Sequence, residues 1–521
     1  MSKSLDFRPI GVPEIRLSQL AEALGGTVHN TDSDPQIRGI SLDSKQLRPG
    51  DVFAALAGKF QHGAKYAEQA LSAEAVAILT DAEGLGHILD QGLALPVLVV
   101  ERPRLAAATA AELLYTRGKT LPQLFGVTGT NGKTMTMYLL DEIARLCGQK
   151  TALSTTAERR IGDINLVGGL TTPESTELHA LIGVMAEQNV DTALIEVSAQ
   201  AVTHNRLLGQ HFSVMSFLNL SHDHLDDYAS MEEYYRAKAR LFHSDISAAA
   251  VISLDTEWGE RLYAETHIPK LSIDWSDSPR NPDWTVEIVS QDLELSELLL
   301  SNAKTGEQLN ARVELFGEQV LFDTAIAILM FLSAGVNFDR LKSVLGEHSI
   351  PWTSPGRMEI LRTPHAGGVA GPTMILDYGH TPEAFTHSLK AINSVHSGPV
   401  IMLFGVDGDR DTTKRAAMAE NAAAQSDIVI ITDYNPRFED PGAIRGVLLE
   451  AIKSTYPERE LHEEADPASA IRLAIRLAGD NGLIFWAGPG HEDYREVQGQ
   501  RLDYSSREDS LAALAEAGWL P

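Results

Sequence analysis

The stretch LFGVTGTNGKTMT, residues 124–136, runs from apolar residues into a glycine-rich loop and closes on Gly132, Lys133 and Thr134. Before the loop, QLFGVT has the length and composition of a buried strand. After it, KTMTMYLLDEIARLC has helical spacing. A strand, a glycine loop and a helix in that order hold phosphate well, because successive backbone N–H groups and the helix N-terminus point at the anion. Lys133 is placed to neutralise β- and γ-phosphates, and the Thr134 hydroxyl to bind Mg²⁺. The spacing is unusual. The common pattern has a glycine five residues before the Gly-Lys-Thr glycine; that position here is Val127, and the glycines are Gly126 and Gly129. A plain glycine-rich turn with an exposed lysine is the competing reading. The flanking strand and helix favour a nucleotide site.

The same alternation continues outward from the loop. DTALIEVS, FSVMSFLNL and AAAVISL read as strands, and SMEEYYRAKARLF reads as a helix. It restarts after about residue 354. PTMILDYG, PVIMLFGV, DIVIITDYN and GLIFWAG are strand-like, with the helical stretches PEAFTHSLKAI, TKRAAMAENAAAQ and PGAIRGVLLEAI between them. Two such series predict two parallel-sheet α/β domains. Upstream, RPGDVFAAL carries a turn signal and RLAAATAAELLY is helical, leading to a boundary near Leu121-Pro122. In such folds ligands sit at the carboxyl ends of the strands. The conspicuous polar residues fall there: Gly129–Thr134, Glu196–Ser198, Asn219–Asp226, Asp377–His380, Asp407–Arg410, Asn435–Arg437 and Gly488–Glu492.

The 521 residues exceed what one core accommodates. Apolar content of 44% and charged content of 22% are those of a soluble globular protein. A net charge of −28 disfavours nucleic acid and anionic membrane, so an anionic ligand needs a local pocket that opposes the global field. The single cysteine, Cys147, rules out an intrachain disulfide framework and fits a reducing compartment. No apolar segment follows the N-terminal lysine as in a signal peptide, and the longest apolar runs are too short to span a bilayer. The expectation is a cytoplasmic protein with no membrane insertion.

Several residues carry two readings. Glu196 and His224 could share a Mg²⁺; His222 with His224 could be half of a zinc site; a solvated acidic loop explains both as well. Lys238, between Arg236 and Arg240, reads by composition as a solvated helix face. Arg410 and Arg437 could each fork a carboxylate, or pair with the many acids around them.

The motifs GTNGKT (129–134), TTPES (171–175), EVS (196–198), NLSHDHLD (219–226), YYRAKARLF (234–242), PGRME (355–359), DYGHTPEAF (377–385), GDRD (408–411), NPRFEDP (435–441) and GHEDY (491–494) follow one another in the order found in the Mur ligase family, which the chain resembles over nearly its whole length. LDSKQLRPGDVFAAL (42–56) resembles the N-terminal domain of the branch that adds the third residue of the peptidoglycan stem peptide. The loop spacing is the family's own. The resemblance implies an α/β protein of three domains: a UDP-sugar domain at 1–118, a central P-loop-type parallel-sheet ATPase domain at 119–354, and a C-terminal Rossmann-like domain at 355–521 for the incoming amino acid.

It also implies the chemistry. ATP phosphorylates the D-glutamate γ-carboxylate of UDP-MurNAc-L-Ala-D-Glu, and the amine of a diamino acid displaces phosphate. Gly129, Thr130, Asn131, Gly132, Lys133 and Thr134 would hold ATP, joined by Arg357 and Asp377 from the last domain. Thr134, Glu196 and His224 would bind Mg²⁺, and Lys238 would be carbamylated (N6-carboxylysine). Lys133, Glu196, His224 and Lys238 form the implied catalytic set. Ser44, Thr171, Thr172, Ser198 and Arg206 would bind the UDP-MurNAc-dipeptide. Arg410, Asn435, Arg437, Gly488 and Glu492 would bind the amino acid. Arg437 slightly favours meso-diaminopimelate over L-lysine or L-ornithine, and a monomer is expected.

The chain departs from the family pattern at several positions. Tyr434 stands where an aspartate is usual, Pro489 where a lysine is, and Ala199-Gln200 where Ser-His is. Val320 and Asp323 replace adenine-side asparagines, and Asp407 replaces a small residue. The rival readings are a folylpolyglutamate- or cyanophycin-type ligase and a non-catalytic paralogue that binds the UDP-precursor.

Overall fold

The computed structural model describes residues 8–30, 33–58, 61–162, 164–166, 170–221, 228–361 and 371–519. The chain divides into two compact units. The first holds Met1–Thr285, Ser301–Glu307 and Ile326–Val344; the second holds Val286–Leu300, Gln308–Ala325 and Leu345–Pro521.

The first unit contains two sheets. In the N-terminal one, the strands run Thr27–His29, Val97–Val99, Ala77–Thr80, Asp51–Ala54 and Gly39–Ser41 across the sheet. The first pair is antiparallel and the rest are parallel. The alanine-rich helix Pro103–Ala111 starts with proline in its first turn, where the missing N–H costs nothing, and packs into this core.

The larger sheet is built around Gln123–Thr128. Across it lie Arg159–Ile161, Thr151–Ser154, Thr192–Glu196, Gln123–Thr128, Val214–Phe217, Ala250–Ser253 and Lys270–Trp275. From Thr151–Ser154 onward every pairing is parallel. A parallel strand needs both faces covered, and the continuous apolar runs supply that: Phe125, Val127, Ala193, Leu194, Ile195 and Val214 are all essentially without solvent contact.

Three further strands, Trp284–Gln291, Ser296–Asn302 and Gln308–Val313, are neighbours in sequence order. Buried residues alternate with exposed or half-buried ones in all three, although Ser296–Asn302 carries three consecutive leucines.

The second unit carries a six-stranded sheet ordered Glu359–Leu361, Thr373–Asp377, Leu483–Ala487, Val400–Phe404, Ile428–Ile431 and Glu460–Glu463. Only the first pairing is antiparallel. Helices Pro382–Val395, Arg415–Gln425, Pro441–Thr455 and Pro467–Ala478 connect the strands. Trp486, at 0% exposure, lies in the core. The topology is the doubly wound, Rossmann-like one. Among the described residues no helix is long and apolar enough to cross a membrane.

Candidate active site

In the first unit the glycine loop leaves strand Gln123–Thr128 and enters helix Lys133–Leu146. Gly132 sits just before the helix at φ 86°, a left-handed conformation that a side chain would strain. Asn219, at the end of the neighbouring strand, fixes the loop from the side. Its Oδ1 accepts from Thr130 N and Asn131 N, both at 3.0 Å, and its Nδ2 donates to Asn131 O at 3.2 Å. Lys133 Nζ donates to Gly129 O (3.1 Å) and Thr130 O (2.9 Å), so the ammonium arches over the loop.

Thr134 and Glu196 meet directly. The Thr134 hydroxyl donates to Glu196 Oε2 at 2.9 Å, and Thr156 N donates to the same oxygen at 3.0 Å. Thr156 Oγ1 lies 3.2 Å from Glu196 Oε1 and 3.0 Å from Thr171 Oγ1. Glu196 is 2% exposed, so this polar cluster is desolvated and must be internally satisfied, as it is. The network runs on. Thr172 Oγ1 donates to Glu196 O (2.9 Å) and accepts from Ser198 N (3.0 Å). Arg206 Nη1 reaches Thr172 O at 3.4 Å, and its Nε pairs with Glu174 at 3.0 Å. Arg104 pairs with the other oxygen of Glu174 at 2.7 Å. Thr134, Glu196, Thr171, Thr172, Ser198 and Arg206 therefore stand together. Ser44 is held elsewhere, with its hydroxyl 2.9 Å from Gln69 Oε1.

Lys238 is not on a solvated face. It is 1% exposed, and its Nζ donates to Gly129 O at 2.9 Å and Thr128 Oγ1 at 3.3 Å, with the ammonium 4.8 Å from the Tyr234 ring centre. A buried cation on the underside of the phosphate loop is costly unless its donors are used. His222 and His224 lie outside the described residues. Among the described residues no cluster of three or more His, Cys, Asp or Glu could hold a metal ion. The Thr134 hydroxyl beside the Glu196 carboxylate nonetheless fits Mg²⁺, which takes one or two protein oxygens and completes its shell with phosphate and water.

In the second unit the remaining residues converge at the carboxyl ends of adjacent strands. Asp377 ends Thr373–Asp377; its Oδ1 accepts from Met358 N (2.9 Å) and its Oδ2 from Gly379 N (2.7 Å). Burial pushes its carboxyl up, against the pull of Arg357 and of these N–H groups. The Arg357 guanidinium stacks 4.1 Å from the centre of Tyr378, and its Nε is buried without a hydrogen-bond partner among the described residues. Gly488, at φ 118°, donates to Asp377 O at 3.0 Å.

Glu492 receives the Tyr434 hydroxyl and Asn435 Nδ2 (3.2 Å), and burial raises its carboxyl pKa. Asn435 Oδ1 accepts from Glu496 N at 2.9 Å. Arg437 faces Glu496 at 3.5 Å and Asp407 at 3.9 Å, while Arg410 is exposed. Of the two readings of Arg437, the ion-paired one is what these neighbours make. Val320 and Asp323 are buried on helix Glu318–Ser333, with Gln319 Nε2 3.0 Å from Asp323 Oδ1. The sequence marks Asn219 as a polar strand end and Glu174 as part of the TTPES motif without giving either a role, and it does not mark Thr156.

Models of the Mur ligase family match three segments: the "Mur ligase family, catalytic domain" at 36–119, the "Mur ligase middle domain" at 127–331, and the "Mur ligase, glutamate ligase domain" at 356–490. A UDP-N-acetylmuramyl-tripeptide synthetase of Leifsonia xyli subsp. xyli is 43% identical over 97% of this chain and 96% of its own length. A UDP-N-acetylmuramoyl-L-alanyl-D-glutamate–2,6-diaminopimelate ligase of Streptomyces avermitilis is 35% identical over 96% of each chain. A solved structure of a ligase with the latter name shares the fold at a TM-score of 0.64 and 24% identity, covering 97% of this chain and 100% of that one. The chain belongs to the Mur ligase family of ATP-dependent, amide-forming ligases.

Proposed function

We propose that the chain adds a diamino acid, as the third residue, to UDP-MurNAc-L-Ala-D-Glu in peptidoglycan precursor synthesis. What carries this reading is the continuous hydrogen-bonded path from the phosphate loop through Glu196 to Thr172, Ser198 and Arg206. It sets groups suited to a triphosphate beside groups suited to a carboxylate-bearing peptide. The names of the relatives support the same substrate.

The reaction has two balanced steps. A γ-carboxylate oxygen of the D-glutamyl residue attacks the γ-phosphorus of ATP, the bond to the β-bridging oxygen breaks, and ADP leaves with an acyl phosphate formed. The uncharged amine of the diamino acid then attacks the acyl carbon, the acyl–oxygen bond breaks, and phosphate and a proton are released. The barrier to the first step is the approach of two anions, so fixed positive charge must be in place beforehand. Lys133 supplies it at the loop. Loop N–H groups and the helix N-terminus orient the phosphates. Thr134 and Glu196 would hold Mg²⁺, which supplies further neutralisation of phosphate charge. Arg206, Thr171, Thr172 and Ser198 bind the dipeptide, and Ser44 the uridine end. Carbamylation of Lys238 would turn a buried cation into an anion that can bind metal, with His224 as a further ligand. Arg357 and Asp377 serve the nucleotide; Arg410, Asn435, Arg437, Gly488 and Glu492 serve the amino acid. Segments 1–118, 119–354 and 355–521 are the functional divisions in this reading. The protein works as a cytoplasmic monomer.

The test is product formation by the full chain with ATP, Mg²⁺, UDP-MurNAc-L-Ala-D-Glu and a diamino acid, read by mass spectrometry. With hydroxylamine in place of the amino acid, an acyl phosphate is trapped as the hydroxamate. ADP formation that ignores the dipeptide precursor would overturn the reading.

A further inference from the structure

Resting on that reading, we infer that Asp407 sets the amino-acid preference: it disarms Arg437 and fits the pocket to a diamino acid ending in an ammonium with no distal carboxylate beside it. Three loops and a hairpin build this corner of the second unit. The loops follow Val400–Phe404, Ile428–Ile431 and Leu483–Ala487; the hairpin is Tyr494–Val497 with Gln500–Asp503.

Arg437 is held in a left-handed backbone conformation, φ 51°, uncommon for a residue with a side chain. The hairpin enforces it: Arg437 N donates to Glu496 O (3.0 Å), and Gln498 N donates to Arg437 O (2.7 Å). Thus placed, the guanidinium faces Asp407 Oδ2 at 3.9 Å on one side and Glu496 Oε2 at 3.5 Å on the other. Glu492 adds a third carboxylate, engaged by Tyr434 and Asn435. Two other arginines reach the corner only through backbone carbonyls, Arg415 on Asp407 O (3.1 Å) while paired with Glu439, and Arg495 on Tyr434 O (3.0 Å). The two side chains facing Arg437 are both acids.

The candidate amino acids differ in this corner. The distal end of meso-diaminopimelate carries an ammonium and a carboxylate; those of L-lysine, L-ornithine and shorter homologues carry an ammonium alone. A distal carboxylate would compete with the two acids that face Arg437, whose Nε is buried without a hydrogen-bond partner among the described residues, and would add a further negative charge to a half-buried site. An ammonium meets the opposite situation. Asp407 Oδ1 is buried with no hydrogen-bond partner among the described residues. An ammonium brings three donors, and a carboxylate brings none. Asp407 is also the position where this chain carries an acid in place of a small residue, so the charge is a feature of this sequence rather than of the motif.

The experiment measures kcat/KM of the full chain for meso-diaminopimelate, L-lysine, L-ornithine and L-2,4-diaminobutyrate at saturating ATP and UDP-MurNAc-L-Ala-D-Glu, for the wild type and for Asp407→Asn. The wild type should prefer at least one carboxylate-free amino acid over meso-diaminopimelate by about tenfold or more, the scale at which one unfavourable pocket contact discriminates. Asp407→Asn should shrink that ratio several-fold by improving meso-diaminopimelate, with KM for ATP unchanged. A wild type that prefers meso-diaminopimelate, or a ratio unmoved by Asp407→Asn, overturns the inference and leaves the ligase reading intact. Turnover with none of the four amino acids removes the ligase reading itself.

Discussion

The glycine loop of the first unit and the Arg437 corner of the second are both built at the carboxyl ends of parallel strands, yet they are specified in opposite ways. The loop is one contiguous segment, and much of its conformation follows from local rules, glycines where the chain must turn and a helix start at Lys133, with braces from Asn219, Ser221 and Lys238 added from outside. The corner draws Asp407, Tyr434, Asn435, Arg437, Glu492 and Glu496 from segments up to 89 positions apart, locked by a left-handed residue and a hairpin. Asp407 and Tyr434 stand outside the strands themselves, in the loops that follow Val400–Phe404 and Ile428–Ile431.

The contrast can be broken at its strongest point. Lys133→Ala removes the loop's fixed charge and should lower kcat for ATP-dependent ligation by at least about 10²–10³-fold, the usual cost of losing one preorganised electrostatic group. The unfolding midpoint should stay within error of wild type. Full turnover would remove Lys133 from the chemistry; unfolding would mean that its hydrogen bonds to Gly129 and Thr130 are structural.

The second unit should respond in the opposite sense. Gly356 lies at φ 59°, and a methyl group there would overlap the backbone of Gly490 and His491. Gly356→Ala should destabilise this unit by about 2–4 kcal/mol through steric overlap and backbone strain together. Denaturant unfolding followed by a Trp486 signal should show a lower midpoint. An unchanged midpoint would show that the close approach is not needed.

Acid should act on both units alike, which sharpens the comparison by separating chemistry from stability. Burial brings His179 in the first unit down to about 4, the Leu208 carbonyl opposing; burial and then Arg357 bring His491 in the second down to about 4. Both sit below the unfolded value of about 6.5. The neutral form is favoured in the folded state, so stability is complete above about pH 6.5 and is lost as pH falls toward 4. Each histidine should cost about 2 kcal/mol at pH 5. His179→Gln should abolish the first unit's share of that loss; a pH 5 deficit unchanged in the variant would assign it to other groups. At the small end, Arg472→Ala, which breaks the exposed pair with Glu516, should leave the midpoint within error.

Much of this was legible in the sequence. Every strand read from a continuous apolar run is a strand, because a central parallel strand must be apolar on both faces. Glu460–Glu463 escaped notice because an edge strand of sequence ELHE has no apolar run to see. Trp284–Gln291, Ser296–Asn302 and Gln308–Val313 alternate buried residues with half-buried or exposed ones, a weaker signal than burial on both faces. In the site, Lys133, Thr134 and Glu196 could be picked out because strand ends and a local motif mark them. Lys238 could not be separated from a solvated lysine by composition, since only the packing of its helix under the loop buries it. The carboxylates around Arg437 come together through the hairpin and the sheet order, and neither is encoded near the arginine.

We propose that ATP cleavage is coupled to amide formation on UDP-MurNAc-L-Ala-D-Glu. The most direct test of this coupling is phosphate release and tripeptide formation measured together, with each substrate omitted in turn. The expected result is one phosphate per amide formed and none without the dipeptide precursor. Phosphate release without the precursor, or none with all three substrates present, would contradict it.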